Sequence, residues 1–109
     1  MANSRVRRGR KSQDLLAEWF NRHGWGEAEA IAASLPGRDI KGMPDLAPEV
    51  KATRGLPGVS ALKQAKANAG KDLAFVIYRP PGYGEARIAE WLVSLDLDDF
   101  TQLLLAAGY

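Results

Sequence analysis

The sequence predicts an α/β domain in which a mixed β-sheet is flanked by helices. Three observations carry that expectation. Residues 12–23 place Leu15, Leu16, Trp19 and Phe20 at helical spacing, and residues 59–69 do the same with Leu62, Ala65 and Ala69. Residues 73–78 form an almost continuous apolar run, Leu73-Ala74-Phe75-Val76-Ile77-Tyr78, as a strand covered on both faces requires. Between the helices stands Pro48-Glu49-Val50-Lys51-Ala52. On an extended strand Glu49 and Lys51 would share one face while Val50 enters the core.

Taken in order, the chain opens on a basic arm. Residues 1–11 contain five bases (Arg5, Arg7, Arg8, Arg10 and Lys11) and no acid, whereas the remainder has ten bases against thirteen acids. The formal charge of +2 thus conceals a flexible basic arm ahead of a single, mildly acidic domain over residues 12–109. Such an arm seeks phosphate; a solubilising terminus is the alternative. The first helix is expected over residues 12–23, with Gly24 as its stop and His23 favourably placed at its C-terminal end. The alanines and glutamates of residues 27–34 favour helix locally. A loop at 35–37 leads to strands over 39–41 and 49–53, then a mobile loop at 54–58. The second helix, 59–69, ends at Gly70. After strand 73–78 come the turn Arg79-Pro80-Pro81-Gly82-Tyr83-Gly84, a strand over 86–95 with Ile88 and Trp91, and a last helix over 97–107. Asp96 or Asp98 would start that helix, which carries Phe100, Leu103, Leu104 and Leu105. Together with Trp91 and Tyr83, these leucines exceed what so small a core needs, and an exposed remainder would suit a homodimer.

Composition narrows the class. At 109 residues, with 46% hydrophobic and 26% charged residues, the chain reads as one soluble domain. No apolar run approaches ~18 residues, and no apolar segment follows the basic start as a secretory signal would require. The absence of cysteine excludes disulfides and thiolate metal sites and suits a cytoplasmic location. A single histidine, His23, excludes a multi-histidine zinc site.

The candidate chemistry lies around Glu49. Asp39 stands ten residues upstream, and Gly42, Pro44 and Asp45 between them allow one tight reversal into an antiparallel hairpin. That reversal would set a second carboxylate beside the Glu49/Lys51 pair. Two acids and a lysine on a sheet edge can hold Mg2+ (or Mn2+) and a water against a phosphodiester, because such hard cations prefer carboxylate oxygens. Lys51 would orient or deprotonate the water, or stabilise the pentavalent oxyanion. The plain alternative is a solvated strand face with a surface ion pair worth about 0–1 kcal/mol. Asp45 is too close to Glu49 for the chain to return beside it, and its type favours a turn.

In this order, the motifs resemble the PD-(D/E)XK nuclease superfamily, and within it the small Holliday junction resolvases of phage and archaeal type. The carriers are Asp39, Glu49-Val50-Lys51, the basic start with a helix ending His23-Gly24-Trp25, Gln64-Ala65, and Tyr78-Arg79-Pro80-Pro81. The resemblance implies a restriction-endonuclease-like fold of order αβββαββα, and so a strand within residues 27–34. It implies a metal-dependent endonuclease acting on branched DNA in a bacterial or phage-infected cell, working as a homodimer that makes two opposed cuts. Asp39 and Glu49 would be the metal ligands and Lys51 a catalytic residue. Arg7, Arg8, Arg10, Lys11, Arg54, Lys63, Gln64 and Lys66 would contact DNA, although a solvated basic face is an equal reading of the two helical lysines. The family's glutamate on the first helix is Gln13 here. Gln13 could still offer a carbonyl oxygen to the metal or its water, or be an ordinary half-exposed helix residue; Asp14 lies on the opposite face. A flap, single-strand or restriction-type nuclease, and a catalytically silent DNA-binding module, are the alternatives on the same fold.

Overall fold

The computed structural model describes residues 4–32 and 37–109. Helix α1 (Ser4–Arg22) is followed by strands β1 (Glu29–Ala30), β2 (Ile40–Lys41) and β3 (Leu46–Lys51). Helix α2 (Val59–Ala69), strand β4 (Leu73–Tyr78), strand β5 (Leu92–Ser94) and helix α3 (Leu97–Ala106) complete the chain. The result is an α/β architecture with two sheets. β1 and β2 form an antiparallel pair, and β3-β4-β5 form a mixed three-stranded sheet, parallel between β3 and β4 and antiparallel between β4 and β5.

Strand alternation sorts the core onto two faces. Val50 and Ile77 join Leu15, Leu16 and Ala17 of α1, together with Ile40, Met43 and Trp91. Ala47, Ala74 and Val76 point the other way, onto Ala65 and Ala69 of α2. The register pairs Ala47 with Ala74, Glu49 with Val76 and Val50 with Ile77. Glu49 therefore shares the α2 face with Ala47 and Val76. Small side chains on both partners let α2 sit close to that face.

Several elements differ from the expectations. α1 begins at Ser4, within the stretch expected to be a flexible arm. Arginine and lysine are good helix formers, and no proline interrupts the run. The Arg7 and Arg8 side chains and residues 1–3 lie outside the described part, as does the 35–36 portion of the expected loop. The strand expected within 27–34 is the two-residue β1, held by Asn21. The Asn21 amide donates to Ala28 O at 2.9 Å and its carbonyl accepts from Ala28 N at 2.7 Å.

The expected hairpin between residues 39–41 and 49–53 does not form as a ladder. β2 pairs with β1, and β3 begins at Leu46 and stops at Lys51. The reversal itself is present: Pro44 and Asp45 occupy a turn closed by Leu46 N donating to Met43 O at 3.1 Å. Asp45 takes φ 65° there, which a type II turn demands at that position. Gly42 (φ 83°) passes so near Glu27 that a Cβ would stand 1.9 Å from its carbonyl oxygen.

The strand expected over 86–95 shrinks to β5. A 3-10 segment, Glu85–Glu90, precedes it, with Arg87 paired to Glu90 at 3.1 Å. Trp91 is buried rather than part of an exposed remainder, and its indole N–H donates to Tyr83 O at 3.1 Å. α3 starts at its Asp96 cap as expected, yet none of its residues is buried. Among the described residues, no helix is long and apolar enough to cross a membrane.

Candidate metal and phosphodiester site

Asp39 reaches Glu49 through two hydrogen bonds to β3 rather than through a hairpin ladder. Its main-chain N–H donates to Pro48 O at 3.0 Å, and its Oδ2 accepts from Val50 N at 2.7 Å. These bonds bracket Glu49 and lay the Asp39 side chain along the free edge of β3. The preceding residue fastens the same segment. Arg38 Nη1 donates to Leu46 O at 2.7 Å and to Asp72 Oδ2 at 2.6 Å, tying the approach to both β3 and the start of β4. Beyond β3, the Tyr78 hydroxyl donates to Thr53 O and Arg54 O, each at 3.1 Å, and holds the chain as it leaves Lys51.

Glu49 is buried, with 8% of its surface exposed. Its carboxyl is pushed up to about 7, first by burial, then by the Asp39 charge and a hydrogen bond between the two carboxyl groups. The Lys51 ammonium and a hydrogen bond from the Asn68 side chain act in the opposite direction. Asp39 and Lys51 are thus both close enough to act on the Glu49 carboxyl. An acid pair that favours holding a proton also offers a place for a cation. Among the described residues, no group of three or more acidic, histidine or cysteine side chains converges. The anionic part of the site is this pair.

Gln13 is not the half-exposed residue that its place at the edge of the helical face suggested. It is 7% exposed, and its Oε1 is buried without a hydrogen-bond partner. Its neighbour Ser12 is fully buried and accepts from Arg79 Nη1 at 3.0 Å. Arg79 in turn donates its main-chain N–H to Lys51 O at 2.8 Å and stacks over Trp91. This chain of contacts binds the Ser12–Gln13 turn of α1 to the Lys51 end of β3. Asp14 faces away and pairs with Arg10 at 3.5 Å.

The expected DNA contacts separate. Lys11, Arg54, Lys63 and Gln64 are exposed. Lys66 is not aimed at the acids: it pairs with Asp96, and together with Val59, Leu62 and Lys63 these residues line a groove of about 370 Å3 between α2 and the start of α3. The residue of α2 that lowers the Glu49 pKa is Asn68, roughly 160° around the helix from Lys66. Gln64, one turn earlier, shares the Asn68 edge. Sequence reasoning passed over Asn68 and Arg38. The available signal for Asn68 was its i+4 relation to Gln64 at the margin of the buried alanine stripe; Arg38 gave none beyond adjacency to Asp39. Compared with known proteins, the chain matches no family model, no curated protein and no solved structure.

Proposed function

We propose that the chain is a Mg2+- or Mn2+-dependent endonuclease of branched DNA, resembling in its chemistry the Holliday junction resolvases of the PD-(D/E)XK superfamily. The observation that supports this most directly is the juxtaposition of the Asp39 and Glu49 carboxyl groups with Lys51 on the same strand. Burying one acid against another is costly unless a proton or a cation intervenes.

The residues fit a hard cation. Asp39 and Glu49 supply carboxylate oxygens, and the unpartnered Oε1 of Gln13 is a further oxygen donor on the helix tied to the same end of β3. When bound, the ion would neutralise charge on the phosphodiester and acidify a water. The chain's own groups do the rest. Asp39 and Glu49 hold the ion, and the Val50 N–H fixes the Asp39 carboxylate. The Lys51 ammonium orients the attacking water or meets the developing oxyanion. Arg10, Lys11, Arg54 and Lys63, with the other basic residues of α1, hold the phosphate backbone by charge. A homodimer would present two such sites to opposed strands of a junction.

The test is cleavage of a synthetic four-way junction with Mg2+ or Mn2+, compared with flap and linear duplex at matched salt. The reading expects junction cleavage that EDTA abolishes. A preference for flap or single strand would retain the chemistry and move the substrate. The neutral Gln13 favours one competing reading, a silent DNA-binding module. Under it, the junction would be bound in a steeply salt-dependent manner and no divalent cation would produce cuts.

A further inference from the structure

We propose that Arg38 is a positioning residue that sets the place of the Asp39 carboxylate along β3 and thereby governs cation affinity at the Asp39–Glu49 pair. The inference deepens the reading of that pair as a cation site and rests on it. Asp45 O and Lys51 O accept main-chain bonds from Leu73 and Arg79 on the β4 side. In this parallel register Leu46, Pro48 and Val50 therefore turn their main-chain groups to the free edge. Pro48 has no N–H to offer there, and a strand laid along that edge would miss a ladder bond. Two consecutive residues close the edge instead, at three successive points. Arg38 Nη1 donates to Leu46 O at 2.7 Å, Asp39 N to Pro48 O at 3.0 Å, and Val50 N to Asp39 Oδ2 at 2.7 Å. The last bond seats the carboxylate on the peptide group that joins Glu49 to Val50.

Arg38 gives this attachment an anchor outside β3. The same Nη1 donates to Asp72 Oδ2 at 2.6 Å, with both side chains half-buried. Asp72 is itself held: its N–H donates to Ala69 O at 3.1 Å, and the next residue, Leu73, donates to Asp45 O at 2.9 Å. The segment bearing Asp39 is thus fastened to β3, to the start of β4 and to the end of α2 at once. Arginine suits the task, because a rigid, planar guanidinium holds two acceptors in fixed relation where a lysine ammonium swings on a flexible stem. Groups that orient metal ligands matter by roughly 10–100-fold in affinity. Charge alone would act the other way: a guanidinium one residue from a ligand repels a cation, so its removal would tighten binding. Positioning and charge therefore predict opposite signs.

The experiment is Mn2+ titration by calorimetry on the full chain. It compares wild type with Arg38→Met, which keeps an unbranched stem without the donors, and Arg38→Lys, which keeps the charge. Circular dichroism and thermal melting fix a temperature at which the chains are folded, and binding is measured there. The proposal expects Arg38→Met to weaken Mn2+ binding about tenfold, and Arg38→Lys to fall between it and wild type. Wild-type or tighter affinity in folded Arg38→Met would overturn the positioning role and leave the cation site intact, whatever the melting midpoint. Should Arg38→Met not fold, Arg38→Lys decides by the same measure, and wild-type affinity in it overturns the role. Failure of the wild type to bind Mn2+ would instead overturn the cation site, and the positioning role with it.

Discussion

Two regions of this molecule depart from ordinary residue sorting in opposite directions. Around the end of β3, polar groups are inside: Glu49, Gln13 and Ser12 are all buried. Around β5 and α3, apolar groups are outside. Leu92, Val93, Leu97, Phe100, Leu103 and Leu105 are exposed, Leu97 to 78%. Carboxylates and carboxamides seldom enter a core without partners, and clustered exposed apolar residues mark surfaces that meet something. Neither region serves the stability of the isolated chain. The first costs desolvation, and the second leaves apolar surface in water that burial would stabilise. The comparison separates a buried polar cluster, where the proposed chemistry would lie, from an exposed apolar face, where the proposed partner contact would lie.

The largest effect expected concerns the inward region. Asp39→Asn and Lys51→Ala should each lower junction cleavage by about 100- to 1000-fold, the range for removing one group that stabilises developing charge. Asp39→Asn keeps an oxygen for Val50 N, so circular dichroism should show an unchanged fold. Full activity in both variants would dissolve the distinction between the two regions, because the buried acids would then be structural.

Next in size is a pH effect that only a buried acid produces. Glu49 titrates near 7 in the folded chain against an ordinary value of 4.5. Between those values the native state holds a proton that the unfolded chain has released. Stability should therefore fall as pH rises from about 4.5 to about 7, by up to about 3 kcal/mol, and then level off. Urea unfolding at pH 5 and pH 8 measures it. Glu49→Gln should remove the slope, and Mg2+ at pH 8 should restore stability in wild type but not in this variant. A Glu49-dependent rise in stability over the same interval would mean that Lys51 dominates Asp39, which would make the pair an ordinary ion bridge.

How far the sequence revealed these regions depended on whether local pattern or tertiary contact decided the outcome. The apolar run 73–78 and the helix 59–69 stopped by Gly70 appear as read, because periodicity and a φ of 61° at Gly70 are local properties. The proximity of Asp39 and Glu49 was legible from the reversal residues between them. Its means was not: a side chain accepting from Val50 N leaves no periodic trace, so a ladder was expected in its place. Arg38 acts through contacts across the fold, to Leu46 O and Asp72 Oδ2, and its role is set by where β3 and β4 come to lie. The same limit applied to residues 86–95, read as a strand with Ile88 and Trp91 among its apolar positions. The Arg87–Glu90 pairing and the Arg87 N–H bond to Gly84 O instead wind the first half of that stretch into a 3-10 segment.

The outward region supports a third, smaller effect. Phe100 is 46% exposed on a helix that buries none of its residues, and β5 is an outer strand of its three-stranded sheet. If a second copy covers this face, Phe100→Asp should raise the dimer dissociation constant by about thirtyfold, corresponding to roughly 2 kcal/mol at an interface anchor. Stability of the monomer should be nearly unchanged. Sedimentation equilibrium measures the first and urea unfolding the second. A wild-type chain that stays monomeric at high concentration would leave the face to another partner and remove the dimer from the proposed function.

The smallest effect lies at the edge of the outward region, between α2 and the start of α3. Lys66 of α2 is paired with Asp96 at the start of α3, and Asp96, with Asp98 and Asp99 behind it, raises the lysine's pKa. The pair is exposed, so its loss should leave the melting midpoint unresolved from wild type. DNA binding is the sharper readout. With its charge matched by Asp96, Lys66 contributes little to phosphate attraction, and Lys66→Ala should barely alter junction affinity. Asp96→Ala frees the lysine and should steepen the dependence of log affinity on log salt by about one, the increment of one added phosphate contact. If Lys66→Ala alone flattens that dependence by the same amount, the lysine already exchanges Asp96 for phosphate on binding. The groove between α2 and α3 would then belong to the DNA surface rather than to the boundary of the apolar face.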